Sequence, residues 1–107
     1  MRSAHRRNAP ARIPSVVLVE LYRGVGVDEP IDALLARGLA QVVTTGAQMT
    51  RSAGRLLAEV GAGGEMAVDA IVVATAIRLG GGVVVTHDPD DLRRLTAGAA
   101  NVSILEI

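Results

Sequence analysis

The chain has 107 residues, half of them apolar, and its formal net charge at pH 7 is zero. It contains no Cys, Trp or Phe and a single aromatic side chain, Tyr22. This composition excludes disulfides, thiol nucleophiles, cysteine–zinc sites and nucleic-acid binding by stacked aromatics. All eleven basic residues are arginine, so lysine chemistry is excluded as well, and carboxylates are the abundant catalytic side chains.

The length predicts one small domain, residues 14–107, preceded by a basic, irregular N-terminus, residues 1–13. Four arginines and no acid lie in residues 1–12, whereas the remainder has seven arginines and eleven acids. An RNA-contacting arm and a mitochondrial-type presequence are alternative interpretations of the basic segment. The lack of cysteine makes a cytoplasmic location the expectation. No apolar run reaches the roughly 18 to 20 residues that cross a bilayer, so no membrane association is expected.

The first elements are short. Ser15 is predicted to cap a helix that runs to about Leu21, although the β-branched run Val16–Val19 is also compatible with a strand. Asp28–Pro30 is typical of a helix start, and Gly38 ends that helix. A short buried strand, Gln41–Thr45, comes next, followed by an amphipathic helix over Ala47–Val60.

The second half contains the more distinctive pattern. Gly61–Gly64 is predicted to be a flexible loop, since no Lys-Ser or Lys-Thr follows to make a phosphate loop. An almost wholly apolar helix then covers about Ala67–Leu79, and the strand Val83–Val85 follows a run of three glycines. A helix start at Asp88-Pro89 precedes the last strand, Asn101–Ile107. The alternating order predicts a three-layer α/β fold, a short parallel sheet flanked by helices.

Three carboxylates stand out because each lies at a helix or strand boundary. Asp69 heads the apolar helix and Asp88 directly follows a strand, where ligands of parallel sheets collect. Glu20 borders an apolar stripe and requires a cation or hydrogen bonds if it is buried. Each has an ordinary alternative: Asp88 as a helix cap, Asp69 as a first-turn acid, and Glu20 as a solvated or Arg23-paired side chain.

Three blocks of the sequence together resemble a PIN domain, and specifically the VapC-type toxins of bacterial toxin–antitoxin modules. The blocks are PSVVLVELYRG from Pro14, DAIVVATA from Asp69 and VTHDPDDL from Val85. They occur in the family's order and cover about Ile13 to Ile107.

The resemblance implies a Mg²⁺- or Mn²⁺-dependent endoribonuclease, usually dimeric, that a cognate VapB-type antitoxin neutralises. Carried over by position, the catalytic and metal-binding acids are Glu20, Asp69 and Asp88. Asp91 is a further metal ligand of some members, and Thr86 supports the cluster. Such acids suit a hard cation that keeps several waters. Candidates for phosphate contact are the arginines at positions 23, 37, 51, 55, 78, 93 and 94.

One feature of the family has no counterpart. PIN domains begin with a hydrophobic central strand that ends in a metal-binding Asp, whereas nothing before Pro14 has that pattern. The sequence therefore predicts a PIN-like fold without its first strand and first acid, which leaves strand edges unpaired. Two hypotheses follow: a ribonuclease whose metal site is weakened or completed from elsewhere, or a truncated module that binds an antitoxin or self-associates without catalysis.

Overall fold

The computed structural model describes residues 11–107. The chain divides into two compact units, the first ending at Thr44 and the second spanning Thr45–Ile107, and each is described by itself. The predictions made for Met1–Pro10 lie outside the described residues. The prediction that residues 14–107 form one domain remains a prediction.

The first unit contains strand β1 (Ala11–Pro14), helices α1 (Ser15–Leu21) and α2 (Asp28–Ala36), and strand β2 (Ala40–Val43). The two strands pair in parallel, with Ala11 opposite Ala40 and Pro14 opposite Val43. The irregular structure predicted up to Ile13 is therefore wrong for residues 11–13, and so is the prediction that no strand precedes the first helix. Pairing with β2 supplies the hydrogen bonds of β1, an interaction between distant segments that local propensity does not reveal.

Two local predictions for this unit also need correction. Helix α1 begins at Ser15 itself, and Pro14 occupies the N-cap position without a side-chain hydrogen bond. The strand predicted as buried is mostly exposed, since only Ala40 of β2 is buried.

Asp28 orders the connection between α1 and α2. Its Oδ1 atom accepts hydrogen bonds from the backbone N–H groups of Arg23 and Gly24, both at 2.9 Å.

The second unit contains helix α3 (Ala47–Val60), a 3-10 turn (Gly64–Met66), helix α4 (Ala67–Arg78), strand β3 (Gly82–Thr86), helix α5 (Pro89–Leu95) and strand β4 (Val102–Glu106). The bounds of α3 agree with the amphipathic pattern, and its end is marked by Gly61 in the left-handed conformation (φ 68°). Helix α4 packs against α3, α5 and β3 and is the centre of this unit.

One apolar cluster holds the second unit together. Helix α4 contributes Ala70, Val73 and Ala74, of which Ala70 and Val73 have no exposed surface. The other elements complete the cluster with Met49 and Ala53, Met66, Val84, Leu92 and Leu95, and Val102. With no Phe or Trp available, aliphatic side chains and methionine fill the interior.

The β3 and β4 strands run in parallel, with Gly82 opposite Val102 and Thr86 opposite Glu106. Gly81 makes their close approach possible. Its φ angle of 104° favours glycine, and a Cβ atom there would overlap the backbone oxygen and side chain of Asn101. Asn101 in turn donates a hydrogen bond from Nδ2 to the Gly80 carbonyl, 3.1 Å away.

The α/β prediction is confirmed: five α-helices accompany short parallel sheets, consistent with a PIN-like fold. The strands form two parallel pairs, β1–β2 and β3–β4, one pair in each unit. Among residues 11–107, no helix combines the length and apolar character that a membrane span requires.

Candidate active site

The turn between β3 and α5 places Asp88 at the N-cap position of α5. The hydroxyl of Thr86, the last residue of β3, accepts a hydrogen bond from the Asp88 backbone N–H at 3.0 Å. The same hydroxyl lies 3.3 Å from the Asp88 carbonyl oxygen, to which it donates. The Asp88 side chain makes no capping hydrogen bond. Asp88 thus lies at the N-cap position, but its side chain does not bond to the N–H groups of the helix. Its carboxylate is exposed near the carboxyl end of the strand.

Two more acids lie in the first turn of α5 and have different surroundings. Asp90 forms an exposed ion pair with Arg93, with 3.7 Å between Oδ1 and Nη1. Asp91 is half-buried, and no ion pair within residues 11–107 engages it. Asp91 is therefore the better placed of the two to contribute to a ligand site, while Asp90 serves as a solvated partner of Arg93.

Asp69 lies in the first turn of α4 and is half-buried. A carboxylate there interacts favourably with the positive end of the helix dipole, so this position stabilises α4 whether or not Asp69 also binds a ligand.

Thr75, further along α4, is buried and donates its hydroxyl proton to the Ile71 carbonyl at 2.7 Å.

Glu20 lies in the last turn of α1 and is exposed. Arg23 donates a hydrogen bond from Nε to the Glu20 backbone carbonyl at 2.8 Å, and not to its carboxylate. The Arg23-paired alternative for the Glu20 carboxylate is therefore wrong, and the side chain is solvated. Glu20 belongs to the first unit, whereas Asp69, Asp88 and Asp91 belong to the second.

Tyr22 and Asp32 link α2 to the residue that follows α1. The Tyr22 hydroxyl donates a hydrogen bond to Asp32 Oδ1 at 2.7 Å. That hydrogen bond, with smaller contributions from partial desolvation and from the negative charges of Asp32 and Asp28, raises the pKa of Tyr22 above its ordinary value of 10.0. The neutral phenol is thus the form that this contact stabilises.

The carboxylates present are the ligand type that Mg²⁺ and Mn²⁺ prefer. Within the described part of the chain, however, no group of three or more His, Asp or Glu side chains is close enough to hold a metal ion. A site built from Glu20, Asp69, Asp88 and Asp91 therefore remains a prediction. The donor chemistry fits a divalent cation, but a complete set of protein ligands is not assembled among residues 11–107.

Sequence reasoning overlooked one acid at this edge of the sheet. Glu106 is the last residue of β4 and lies opposite Thr86 in the parallel register. Its backbone is therefore level with the end of β3, directly before the Asp88 turn. The signal that could have found it is the pairing of two strands that run in the same direction, which aligns their carboxyl ends.

The arginines proposed for phosphate contact fall into two groups. Four are engaged with protein atoms: Arg23 with a carbonyl, Arg78 with Gln48, Arg93 with Asp90, and Arg94 with the Val60 carbonyl and the Met66 sulfur. The remaining three, at positions 37, 51 and 55, are exposed like the first four, but no hydrogen bond or ion pair within residues 11–107 engages their side chains. These three are the part of this set that is free to contact a ligand.

Comparison with known proteins decides the family. The model of the PIN domain matches residues 2–98, which is most of the chain. The chain belongs to the PIN domain family. No curated protein and no solved structure gives a match.

Membership of the PIN domain family indicates a function in general terms. PIN domains are generally nucleases and typically bind divalent metals. In this PIN domain the match begins at residue 2, upstream of the region that suggested the family from the sequence motifs. The match includes β1, whose four residues, Ala-Arg-Ile-Pro, contain no carboxylate.

Proposed function

We propose that this PIN domain is a VapC-like endoribonuclease that cleaves RNA phosphodiesters with the help of Mg²⁺ or Mn²⁺. The observation that carries the proposal is the state of Asp88. It lies two residues beyond the end of a parallel strand, its backbone N–H is bonded to the Thr86 hydroxyl, and its carboxylate makes no capping hydrogen bond. A carboxylate whose backbone is fixed, and whose oxygens make no capping hydrogen bond, is suited to bind a ligand.

Four acids are proposed to hold the cation. Asp69, Asp88 and Asp91 are supplied by the second unit, and Glu20 by the first. A bound divalent cation would polarise the scissile phosphate and lower the pKa of a coordinated water. The residues themselves act by orientation: Thr86 fixes the backbone from which the Asp88 side chain projects. Because carboxylates and water complete the shell of such ions together with substrate phosphate, few protein ligands are needed.

The remaining features of the proposal follow from the likeness to VapC-type toxins. They are inhibition by a cognate VapB-type antitoxin, a homodimeric state and a cytoplasmic location. The short basic segment ahead of β1 and the exposed arginines of α3 are compatible with an RNA substrate. The target RNA is expected to be selected by shape and phosphate contacts, because the chain lacks the aromatic side chains that stack on bases.

A second function is favoured by two observations. No group of three potential ligands lies together among residues 11–107, and β1 carries no acid at its end. Both fit a PIN module that no longer cleaves RNA and acts by binding an antitoxin or by self-association. This alternative predicts the same fold and the same exposed surfaces, but no metal-dependent activity.

The deciding experiment measures cleavage of a mixed RNA pool with Mg²⁺, with Mn²⁺ and with a chelator. We expect cleavage only with metal, and a loss of at least about hundredfold in Asp88→Asn and Asp69→Asn. Asp90→Asn is the matched control, because this acid lies in the same helical turn as Asp91 but is paired with Arg93 and exposed.

Mn²⁺ binding is measured separately through the relaxation of water protons, so that affinity and activity are distinguished. Binding that Asp88→Asn weakens, together with cleavage, supports the ribonuclease. Metal-independent cleavage, or equal loss in Asp90→Asn, contradicts the assignment of these residues. Folded protein that neither binds Mn²⁺ nor cleaves RNA establishes the non-catalytic alternative.

A further inference from the structure

Among residues 11–107, strand β3 pairs with β4 and with no other strand. At the start of the pair, the Gly82 N–H donates a hydrogen bond to the Asn101 carbonyl at 2.9 Å. At its end, the Thr86 carbonyl accepts one from the Ile107 N–H, also at 2.9 Å. Successive residues of a strand direct their backbone groups to opposite edges, so the even-numbered residues of β3 are those that face β4.

The odd-numbered residues of β3, Val83 and Val85, direct their backbone groups to the other edge. Each has an N–H and a carbonyl there, and no hydrogen bond within residues 11–107 engages these groups. An extended chain laid along this edge would meet donors and acceptors at the two-residue repeat of a strand. The outer edge of β3 is therefore a template for one more strand.

The side chains of β3 add an apolar requirement to this edge. Val83 and Val85 lie on one face of the sheet, 52% and 55% exposed, and Leu105 of β4 lies opposite Val85 and is 51% exposed. Val84 points to the other face and belongs to the core cluster. A strand added beside β3 would cover part of the exposed face if its own side chains on that face were apolar. The edge therefore selects an extended segment with apolar residues at alternate positions.

The outer edge of β3 also lacks the devices that usually block further pairing, such as proline or a charged side chain. Strand β1 contains both, Arg12 and Pro14. On the outer edge of β4, Glu106 supplies a charge, and the Val102 N–H is already bonded to the Ala99 carbonyl at 3.1 Å. The sequence of β3, Gly-Val-Val-Val-Thr, contains no such residue. An unprotected edge of this kind is suited to a strand partner.

We propose that the outer edge of β3 binds an extended segment of another protein chain, which adds a strand beside Val83 and Val85. Residues 1–10 of this chain do not have the required composition, because they include three arginines and no valine, leucine or isoleucine. The edge includes none of the proposed metal ligands. The proposal therefore stands independently of nuclease activity, and its outcome is separable from that of the cleavage assay.

Amide hydrogen exchange of the full chain, followed by NMR, tests whether the edge is free and whether it takes a strand. Without a partner, the Val83 and Val85 amides should exchange fast and the Val84 and Thr86 amides slowly. The probe is a short peptide with blocked ends that alternates valine and threonine. Saturation with this peptide should slow exchange at Val83 and Val85 at least about tenfold. Protection of both amides before peptide is added would show that the edge is already occupied, and would overturn the proposal.

Val85→Pro tests backbone pairing, because it removes an N–H of the outer edge and none of those that face β4. It should raise the dissociation constant of the labelled peptide, measured by fluorescence anisotropy, at least about tenfold. Val85→Thr is the matched control, since it keeps the N–H and the β-branched shape, and should change the constant less than about threefold. Circular dichroism checks that each variant is folded.

Two modified peptides provide a control that does not depend on the folding of a variant. One is N-methylated at its valines and the other at its threonines. Because alternate amides of an added strand face β3, one of the two should lose binding and the other should keep it. Equal affinity of all three peptides overturns strand addition, as does a chain that binds none of them. Binding that Leu105→Thr weakens and Val85→Pro does not would assign the peptide to the apolar face, and would contradict the proposal as well.

Discussion

Helix α4 buries Ala70, Val73 and Ala74 in a continuous apolar cluster, whereas no residue of α1 or α2 is buried. The first unit instead exposes apolar side chains, with Val19 at 73% and Val25 at 98%. Its local order comes from hydrogen bonds such as Tyr22–Asp32 and those to Asp28. Such bonds contribute less net stability than burial does, so the two units should differ in how readily they open.

This difference bears directly on the candidate active site. Asp69, Asp88 and Asp91 project from the well-packed unit, and Glu20 projects from α1, a helix with no buried residue. Three proposed ligands are therefore anchored by an apolar core, and the fourth depends on a helix whose stability is marginal on its own.

The largest expected effect comes from breaking the core itself. Leu92→Ala removes a side chain that is 3% exposed and should lower the free energy of unfolding by about 2–5 kcal/mol. Leu34→Ala makes the same chemical change in α2 at a site that is 46% exposed, and should cost less than about 1 kcal/mol. Urea denaturation followed by circular dichroism measures both. Similar losses in the two variants would contradict the contrast between the units.

A smaller difference is expected between two glycines with similar positive φ angles. Gly24 and Gly81 have φ angles of 112° and 104°, but only Gly81 has neighbours that a Cβ atom would overlap. Gly24→Ala should cost about 1 kcal/mol, from backbone strain alone. Gly81→Ala should cost about 2–3 kcal/mol, because Asn101 must also move.

Denaturation midpoints of the two glycine variants provide the comparison. If Gly24→Ala proves as costly as Gly81→Ala, the α1–α2 connection is more tightly packed than the structure indicates, and the contrast between the units is weaker.

The smallest effect is a pH dependence confined to the first unit. Since the pKa of Tyr22 is raised in the folded chain, its contact with Asp32 stabilises the fold below pH 10 and is lost as the pH rises through the raised value. Asp32→Asn should lower the pKa of Tyr22 toward 10.0.

The absorbance of tyrosinate measures this ionisation without interference, because Tyr22 is the only aromatic residue. An unchanged titration in Asp32→Asn would show that the Tyr22–Asp32 contact does not persist in solution, and that the first unit is held still more loosely.

Sequence reasoning succeeded where a local pattern determines local structure. The apolar spacing of Met49, Ala53 and Leu56 gave α3 with its observed bounds, and the all-round apolar character of α4 indicated its central place. It failed at β1, since Ala11–Pro14 has no alternating apolar pattern and its hydrogen bonds come from pairing with β2. The candidate acids were located at their helix and strand ends. Whether they assemble around a metal depends on tertiary packing, which no local motif encodes.

Arg94 bears on whether the connection between α3 and α4 can change in length. Its guanidinium donates to the carbonyl of Val60, the last residue of α3, and to the sulfur of Met66, the last residue of the 3-10 turn. Both ends of the connection between α3 and α4 thus contact α5, and within the connection Ala62 packs against the core. When both ends of a flexible loop are held, each doubling of its length costs only about 0.6 kcal/mol of closure entropy. Insertions next to the exposed Gly63, rather than at Gly61 or Ala62, should therefore cost the core least.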